Sequence, residues 1–441
     1  LLFFSVAGFF LYLVFGQNFY KKRLFRLKEQ DDRHLHALIS EQKKELLSAK
    51  ETFSDPRFAR YREMIYMLLN SNQAYLTRDN EVDIYTSGND KFRALLEAIE
   101  GAEDHIHMEY YILRTDEMGR KVIDALTKKA RDGVEVRWLY DALGCAKVPK
   151  SFYQELLAAG GKIAPFFPSL IPLINLRFNY RNHRKIVVID GKTGFIGGFN
   201  IGDEYLGKGP LGYWRDSHLK IQGTAVSALQ VRFILDWNFA ANDDMKLSSR
   251  FFPDHEGPGD TAIQVVSGGP DVRWSPIKES YLKLITNAEE SIYLQSPYFV
   301  PDDSVLDALR IAALSGVDVR IMIPSKPDHP FVYWSSYSFI GDLLDAGVKA
   351  YTYDNGFIHA KTVVVDGFAG SVGSANWDVR SFKLNFEANA IMYDTKMAGK
   401  LRDIFLQDLD VSTEITPERY AARSNWIKVK ESISRLMSPI L

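Results

Sequence analysis

The sequence predicts an α/β protein of two pseudo-symmetric halves, each a mixed β-sheet flanked by helices, behind an N-terminal transmembrane helix. Three observations carry this. First, HRKIVVIDGKTGFIGGFN (His183–Asn200) returns 176 residues later (359 − 183) as HAKTVVVDGFAGSVGSAN (His359–Asn376), with nine of eighteen positions identical. Second, the same order of elements precedes each copy. LLEAIEGAEDHIHMEYYIL (Leu95–Leu113) and GVEVRWLYD from Gly133 are matched by YLKLITNAEESIYLQSPYFV (Tyr281–Val300) and GVDVRIMIP from Gly316. Long internal similarity of this kind means one supersecondary unit used twice. Third, the first sixteen residues, LLFFSVAGFFLYLVFG, are apolar apart from Ser5 and two glycines.

Each repeat reads helix, strand, helix, strand. That alternation implies α/β layers with a largely parallel sheet. ELLAAGGKI (Glu155–Ile163) and DLLDAGVKA (Asp342–Ala350) each end a helix on a glycine stop. The branched run Ile186–Ile189 then makes a strand. It turns at Gly191 and returns through FIGGFN, so a hairpin brings Asn200 back beside His183 and Lys185. SVGSAN does the same for Asn376, His359 and Lys361. The expected boundaries are 1–20 for the transmembrane helix and 21–55 for a charged juxtamembrane helix or linker. The first half covers 56–250, the second 258–412, and an amphipathic C-terminal tail 414–441.

The chain opens on Leu1 and not on Met, so the apolar run reads as the tail of a membrane-spanning helix. A signal-peptide core would have basic residues before it. Here Lys21, Lys22, Arg23, Arg26 and Lys28 follow, which predicts a cytoplasmic location for everything after Lys21. A formal net charge of −2 gives no global electrostatic reason to bind nucleic acid. The single cysteine, Cys145, excludes an intrachain disulfide.

Side chains alternate along a strand, so His183 and Lys185 share a face and Asp190, at an odd offset, does not. The same parity holds for His359, Lys361 and Asp366. An imidazole, an ammonium and an amide together suit a phosphate ester. Lysine neutralises the anionic oxygens, asparagine donates a hydrogen bond, and neutral histidine attacks phosphorus or moves a proton. Two such clusters could meet across a seam around one phosphate. The alternative is two satisfied polar sites in a duplicated core. That requires a buried, unpartnered lysine, a costly feature, to be tolerated twice.

H-x-K-x4-D followed by G-G/S-x-N, present twice, resembles the phospholipase D superfamily, and the halves are therefore expected to be phospholipase-D-like. NYRNHRKIVVIDG, GGFNIGDEYLG, YWRDSHLKI, QSPYFVPDD and GSANWDVRSFKLNFEAN are similar to bacterial cardiolipin synthases in particular. One departure is visible: Gly198 stands where the second copy has Ser374, so any hydroxyl contact comes from one half.

The resemblance implies a phosphatidyltransferase. His183 would attack the phosphorus of phosphatidylglycerol, releasing glycerol and leaving a phosphatidyl-histidine. His359 would protonate the leaving alkoxide, then deprotonate the hydroxyl of a second phosphatidylglycerol to give cardiolipin. Lys185 and Lys361 would supply positive charge with no metal and no cofactor, and Asp190 and Asp366 complete the catalytic motif. Asn200, Asn376 and Ser374 would support the phosphate, with Asp216 and Glu387 behind the histidines.

The implied partners are phosphatidylglycerol, cardiolipin and the bilayer, and the implied place is a bacterial inner membrane with the catalytic halves facing the cytoplasm. Other readings are hydrolysis by water, a donor such as phosphatidylethanolamine, or an inactive scaffold for anionic lipid. The scaffold should have lost a histidine or lysine, and all four are present.

Three further segments need weighing. His105 and His107 share a strand face but lack a nearby third ligand, so a plain strand is expected. PFFPSLIPLINLRF (Pro165–Phe178) is an insertion in the first repeat that could dip into the bilayer or pack over the core. In the tail, Trp426, Val429, Ile433, Leu436 and Met437 fall on one helical stripe, with Lys428, Lys430 and Arg435 elsewhere. Packing on the body is the expected use, and lying on an anionic membrane the alternative.

Overall fold

A computed structural model describes residues 39–44, 46, 56–168, 179–254, 257 and 259–438. The expected transmembrane helix (1–20), most of the juxtamembrane segment, and Leu170 and Ile171 of the insertion lie outside the described residues. No described helix is long and apolar enough to cross a membrane.

The first half contributes strands β1 (Leu76–Tyr85), β2 (His105–Tyr110), β3 (Glu135–Asp141), β4 (Lys162–Phe166), β5 (Ile186–Ile189), β6 (Thr193–Gly197) and β7 (His218–Gln222). The second contributes β8 (Thr261–Gly268), β9 (Ser291–Gln295), β10 (Asp318–Pro324), β11 (Lys349–Tyr353), β12 (Thr362–Val365), β13 (Ala369–Gly373) and β14 (Asn385–Tyr393). Their order is β4-β3-β2-β5-β6-β7-β1 in one half and β11-β10-β9-β12-β13-β14-β8 in the other. The two join through antiparallel β1 and β8, with Leu76 opposite Gln264, so one sheet runs through both halves.

Among the strands named above, β2-β3-β4 and β9-β10-β11 are the runs that pair in parallel with one another. The expected largely parallel sheet is therefore a parallel trio in each half, extended by antiparallel strands. Helices make the parallel crossovers, and the hairpin needs none. In that hairpin Asp190 and Gly191 both take left-handed backbone, with φ of 54° and 64°, and Lys192 N–H donates to the Ile189 carbonyl at 2.9 Å. Asp366 and Gly367 repeat this at 51° and 58°. Asp-Gly suits such a turn because both residues tolerate positive φ.

Helix α1 (Phe58–Asn72), which the sequence places with the first half, packs on the second. Its buried Tyr61, Met64, Ile65, Leu68 and Leu69 join the core of Ile277, Tyr281, Leu284 and Ile292. The covering helices also include α2 (Ala225–Ala241) behind the first half and α3 (Thr395–Leu409) behind the second.

Two other segments are placed more narrowly than the sequence allows. Phe166 is fully buried at the end of β4, and Phe167 is nearly so. Both pack against Phe239 and Phe386, so neither is free to enter a bilayer. In the tail, helix α5 (Asn425–Met437) packs on α4 (Pro330–Leu344), but through its polar side. Glu431 and Ser434 are buried, and Arg435 pairs with Asp342 at 2.6 Å. Trp426, Val429, Ile433 and Leu436 point outward, Leu436 being 83% exposed.

Candidate active site

Two short ladders exchange between the halves and place the histidines. Arg181–Asn182 pairs in parallel with the start of β14, and His183 N–H then donates to the Phe386 carbonyl at 2.9 Å. Phe357–Ile358 pairs with Trp214–Arg215 of the first half, and His359 N–H donates to the Arg215 carbonyl at 2.6 Å. Each histidine thus sits on a segment clamped to the opposite half.

The carboxylates follow the same exchange. His183 Nδ1 lies 3.0 Å from both Glu387 oxygens, and His359 Nδ1 lies 2.6 Å from Asp216 Oδ2. Asp216 follows His183 by 33 residues (216 − 183) and Glu387 follows His359 by 28 (387 − 359), but in the structure each carboxylate serves the other half's histidine. Both carboxylates are fully buried. A carboxylate on Nδ1 fixes the tautomer and leaves Nε2 as the working nitrogen.

The Gly198/Ser374 difference has a geometric cause. Ser374 Oγ donates to Glu387, which also accepts from Asn385 Nδ2 at 3.1 Å. A Cβ on Gly198 would lie 2.0 Å from Asp216 Oδ1, so only glycine leaves the shorter carboxylate its place.

His183, His359, Asn200 and Asn376 line one cleft of about 550 Å³. Asn200 is committed to Ile112 N–H (3.1 Å) and Tyr205 OH (3.0 Å), whereas the Asn376 carbonyl oxygen is buried with no protein partner. An orphaned buried acceptor on the same cleft as two imidazoles is free to accept a hydrogen bond from a bound molecule.

Lys185 and Lys361 do not line the cleft. Each is buried beneath its histidine and donates to that histidine's own carbonyl. Asp190 and Asp366, grouped with the catalytic residues on the motif alone, do not reach the cleft either. Asp190 accepts the N–H groups of Glu103, Asp104 and His105 at 2.8–2.9 Å. Asp366 accepts those of Glu289, Glu290 and Ser291 at 2.8–2.9 Å. Their work is to fasten each hairpin to the neighbouring strand.

Electrostatics set the resting protonation. Burial lowers His183 to about 4, against the opposing pull of Glu387, and burial lowers His359 as well. Burial brings Lys185 to about 7 and Lys361 to about 8. Burial pushes Glu387 up, but the His183 contact and the Lys185 charge outweigh it and hold the carboxyl low. Both imidazoles are therefore neutral near pH 7. An entering anion raises the affinity for protons of every group around it.

Sequence reasoning missed several lining residues. Tyr111 meets the His183 ring edge-on at 4.9 Å, and its counterpart after the parallel strand of the other half, Tyr298, also lines the cleft. The repeated tyrosine in EYYIL and SPYFV was the available signal. Arg181 was legible too, since it shares the alternating parity of His183 and Lys185.

His105 and His107 share Gln230 as a hydrogen-bond partner and lie in a packed aromatic cluster, which makes them structural. Among the described residues no group of three or more His, Cys, Asp or Glu could hold a metal ion.

Duplicated halves, swapped ladders and paired imidazoles at one cleft define a two-motif protein of the phospholipase D type. The profile of the family described as "Cardiolipin synthase, PLD-like domain" matches residues 95–234 and 281–409. The chain is 54% identical to the major cardiolipin synthase ClsA of Bacillus subtilis, over 100% of this chain and 92% of that one. It is 52% identical to the cardiolipin synthase of Staphylococcus aureus, over 100% and 90%. The chain belongs to the cardiolipin synthase family. Among solved structures, the phosphatidylserine synthase of Haemophilus influenzae superposes with a TM-score of 0.64 at 14% identity, covering 86% of this chain and 100% of that one. The polyphosphate kinase of Porphyromonas gingivalis gives 0.52 at 14%, covering 80% and 53%. These two likenesses concern the fold alone.

If the buried dyads orient the rings, removing either carboxylate's charge should matter more than its small volume change suggests. Glu387→Gln and Asp216→Asn are each expected to lower turnover by about 10²–10⁴ while the melting temperature stays near wild type. Steady-state rates within about tenfold of wild type would count against the dyads.

Proposed function

We propose that the protein transfers a phosphatidyl group from one phosphatidylglycerol to another, making cardiolipin and releasing glycerol. The observation that carries this is the pair of cross-braced imidazole–carboxylate dyads on one cleft, in a chain that belongs to the cardiolipin synthase family.

In the first step His183 Nε2 forms a bond to phosphorus as the bond to the glycerol oxygen breaks. His359, protonated for this step, gives its proton to that oxygen. In the second, the hydroxyl oxygen of another phosphatidylglycerol attacks the same phosphorus, the P–N bond breaks, and His359 takes the hydroxyl proton. Glu387 and Asp216 keep the working nitrogens aimed and stabilise whichever ring is charged. Lys185 and Lys361, buried and tied to the carbonyls of the two histidines, offset the growing charge on the phosphoryl oxygens through the low-dielectric interior. Purified full-length protein incubated with phosphatidylglycerol should yield cardiolipin and glycerol by mass spectrometry. Phosphatidic acid alone would mean hydrolysis, and no turnover would mean a lipid-binding scaffold.

The membrane side follows from the rim of the cleft. His329 and Val332, at the start of α4, line it, and Phe331 between them is 51% exposed. The outward stripe of α5 lies on the same α4, with Lys430 over the rings of Trp334 (5.0 Å) and Trp426 (5.8 Å). An apolar stripe with lysines beside it suits an anionic lipid surface next to the mouth of a lipid-consuming site. Trp426→Ser with Leu436→Ser should weaken binding to phosphatidylglycerol vesicles roughly tenfold without lowering the melting temperature. Undiminished sedimentation with vesicles would remove this assignment.

A further inference from the structure

The chemistry of the two half-sites is nearly symmetric, but the walls around them are not. At the 176-residue offset that relates the motifs, Arg181 corresponds to Phe357 and Arg380 to Glu204. Glu204 is paired with Arg114 at 3.2 Å on its side of the cleft. Arg181 and Arg380 line the cleft together on the side of His183. Arg181 is 5% exposed and donates to the Tyr180 carbonyl at 2.7 Å, and Arg380 donates to the Asn179 carbonyl at 3.2 Å. Burial lowers Arg181, Asp141 opposes that, and the positive charge of Arg380 lowers it further.

Asn385, whose backbone pairs with Arg181, is 8% exposed, and its carbonyl oxygen has no protein partner although it lines the same wall. Two neighbouring guanidiniums on one wall, Arg181 buried and Arg380 half-buried, favour an anion between them, and guanidinium is the group best matched to phosphate oxygens.

A reaction that joins two phosphatidylglycerols holds two phosphodiesters at once, linked in the product through one glycerol. The histidines take one. We propose that Arg181 and Arg380 form a second phosphodiester site, which holds the phosphate of the acceptor lipid while the phosphorus under attack lies between His183 and His359. This rests on the transfer reading above. It supplies what the symmetric motifs lack, a way to distinguish donor from acceptor and to favour a lipid hydroxyl over water. The glycerol hydroxyl of the acceptor is then delivered to the phosphorus with its own phosphate anchored, and its proton passes to His359.

The test compares two soluble headgroup fragments, glycerol 1-phosphate and glycerol 1,3-bisphosphate, by calorimetric binding to the full chain in detergent. Wild type should bind the bisphosphate at least about tenfold more tightly. Arg380→Gln should bring that ratio close to one and change monophosphate affinity by less than about threefold. Arg181→Gln should do the same wherever its melting temperature shows it folded, and Arg380→Gln decides if it is not. With phosphatidylglycerol, Arg380→Gln should also shift product from cardiolipin toward phosphatidic acid. Equal affinity of wild type for the two fragments, or a ratio retained in Arg380→Gln, would overturn the proposal. Binding is read without turnover, so a wild-type protein that discriminates the fragments yet makes no cardiolipin would sink the transfer reading and leave the second site standing.

Discussion

A His359→Gln enzyme given a phosphatidyl ester of 4-nitrophenol is expected to release close to one equivalent of nitrophenolate and then stop, while His183→Gln releases essentially none. The reasoning starts from the leaving group. Glycerol departs as a poor alkoxide and needs a proton, so on phosphatidylglycerol both variants should be slowed, His359→Gln by about 10²–10⁴. Nitrophenolate leaves without a proton. Attack by His183 then proceeds in the absence of His359, and the phosphatidyl-histidine accumulates because nothing deprotonates the incoming hydroxyl. Mass spectrometry of the stalled protein should place the adduct on the peptide containing His183. The two rings are held alike, each with Nδ1 on a buried carboxylate, so geometry alone treats them as equals. The burst experiment assigns them. An adduct on His359 in the His183 variant would exchange the roles, and unimpaired turnover by both variants would end the two-histidine mechanism.

Much of this site was readable before any coordinates. The repeat gave the two halves, the alternating elements gave the α/β layers, and strand parity separated the histidine–lysine pair from the aspartate. What stayed hidden has a common physical origin, because sequence intervals report neighbours along the chain and this site is built by exchange across it. The ladders of two residues that clamp His183 to β14 and His359 to Trp214–Arg215 are too short to leave a pattern. The partner of each carboxylate is thus lost with them. Helix α1 carries ordinary apolar spacing that fits either half, and only packing assigns it to the second. The tail sequence is that of an amphipathic helix, but amphipathicity does not say which face turns inward. Here α4 offers Asp342 and Ser338 to Arg435, so the polar face docks and the apolar stripe is left outside. Phe166 opens an apolar insertion that the sequence leaves between bilayer and core, and β4 carries this residue into the core behind Phe386.

Replacing either buried lysine should move activity and stability in opposite directions. Lys185 and Lys361 are at most 1% exposed, and each donates to a neutral carbonyl of its own chain segment, which compensates an ammonium far less than a carboxylate would. Burial brings Lys185 to about 7 and Lys361 to about 8, below the unfolded value near 10.4. The unfolded chain therefore binds more protons between those values, and stability rises with pH across that window. Below pH 7 the full penalty is present. Lys185→Met removes it, so the variant should melt at a higher temperature than wild type at pH 6, an advantage that fades toward pH 10. Turnover should meanwhile fall by about 10³, as for the loss of a preorganised charge beside a phosphoryl group. Wild-type kcat/KM should decline on the alkaline side through the same range, because the free enzyme loses its two cations there. A Lys185→Met protein that is less stable than wild type at pH 6, with an unchanged alkaline limb, would mean that the lysines are structural. The expected opposition has a simple source: burial costs each ammonium more than the nearby Glu387 and Asp216 carboxylates return, and a bound phosphate would offset the remainder.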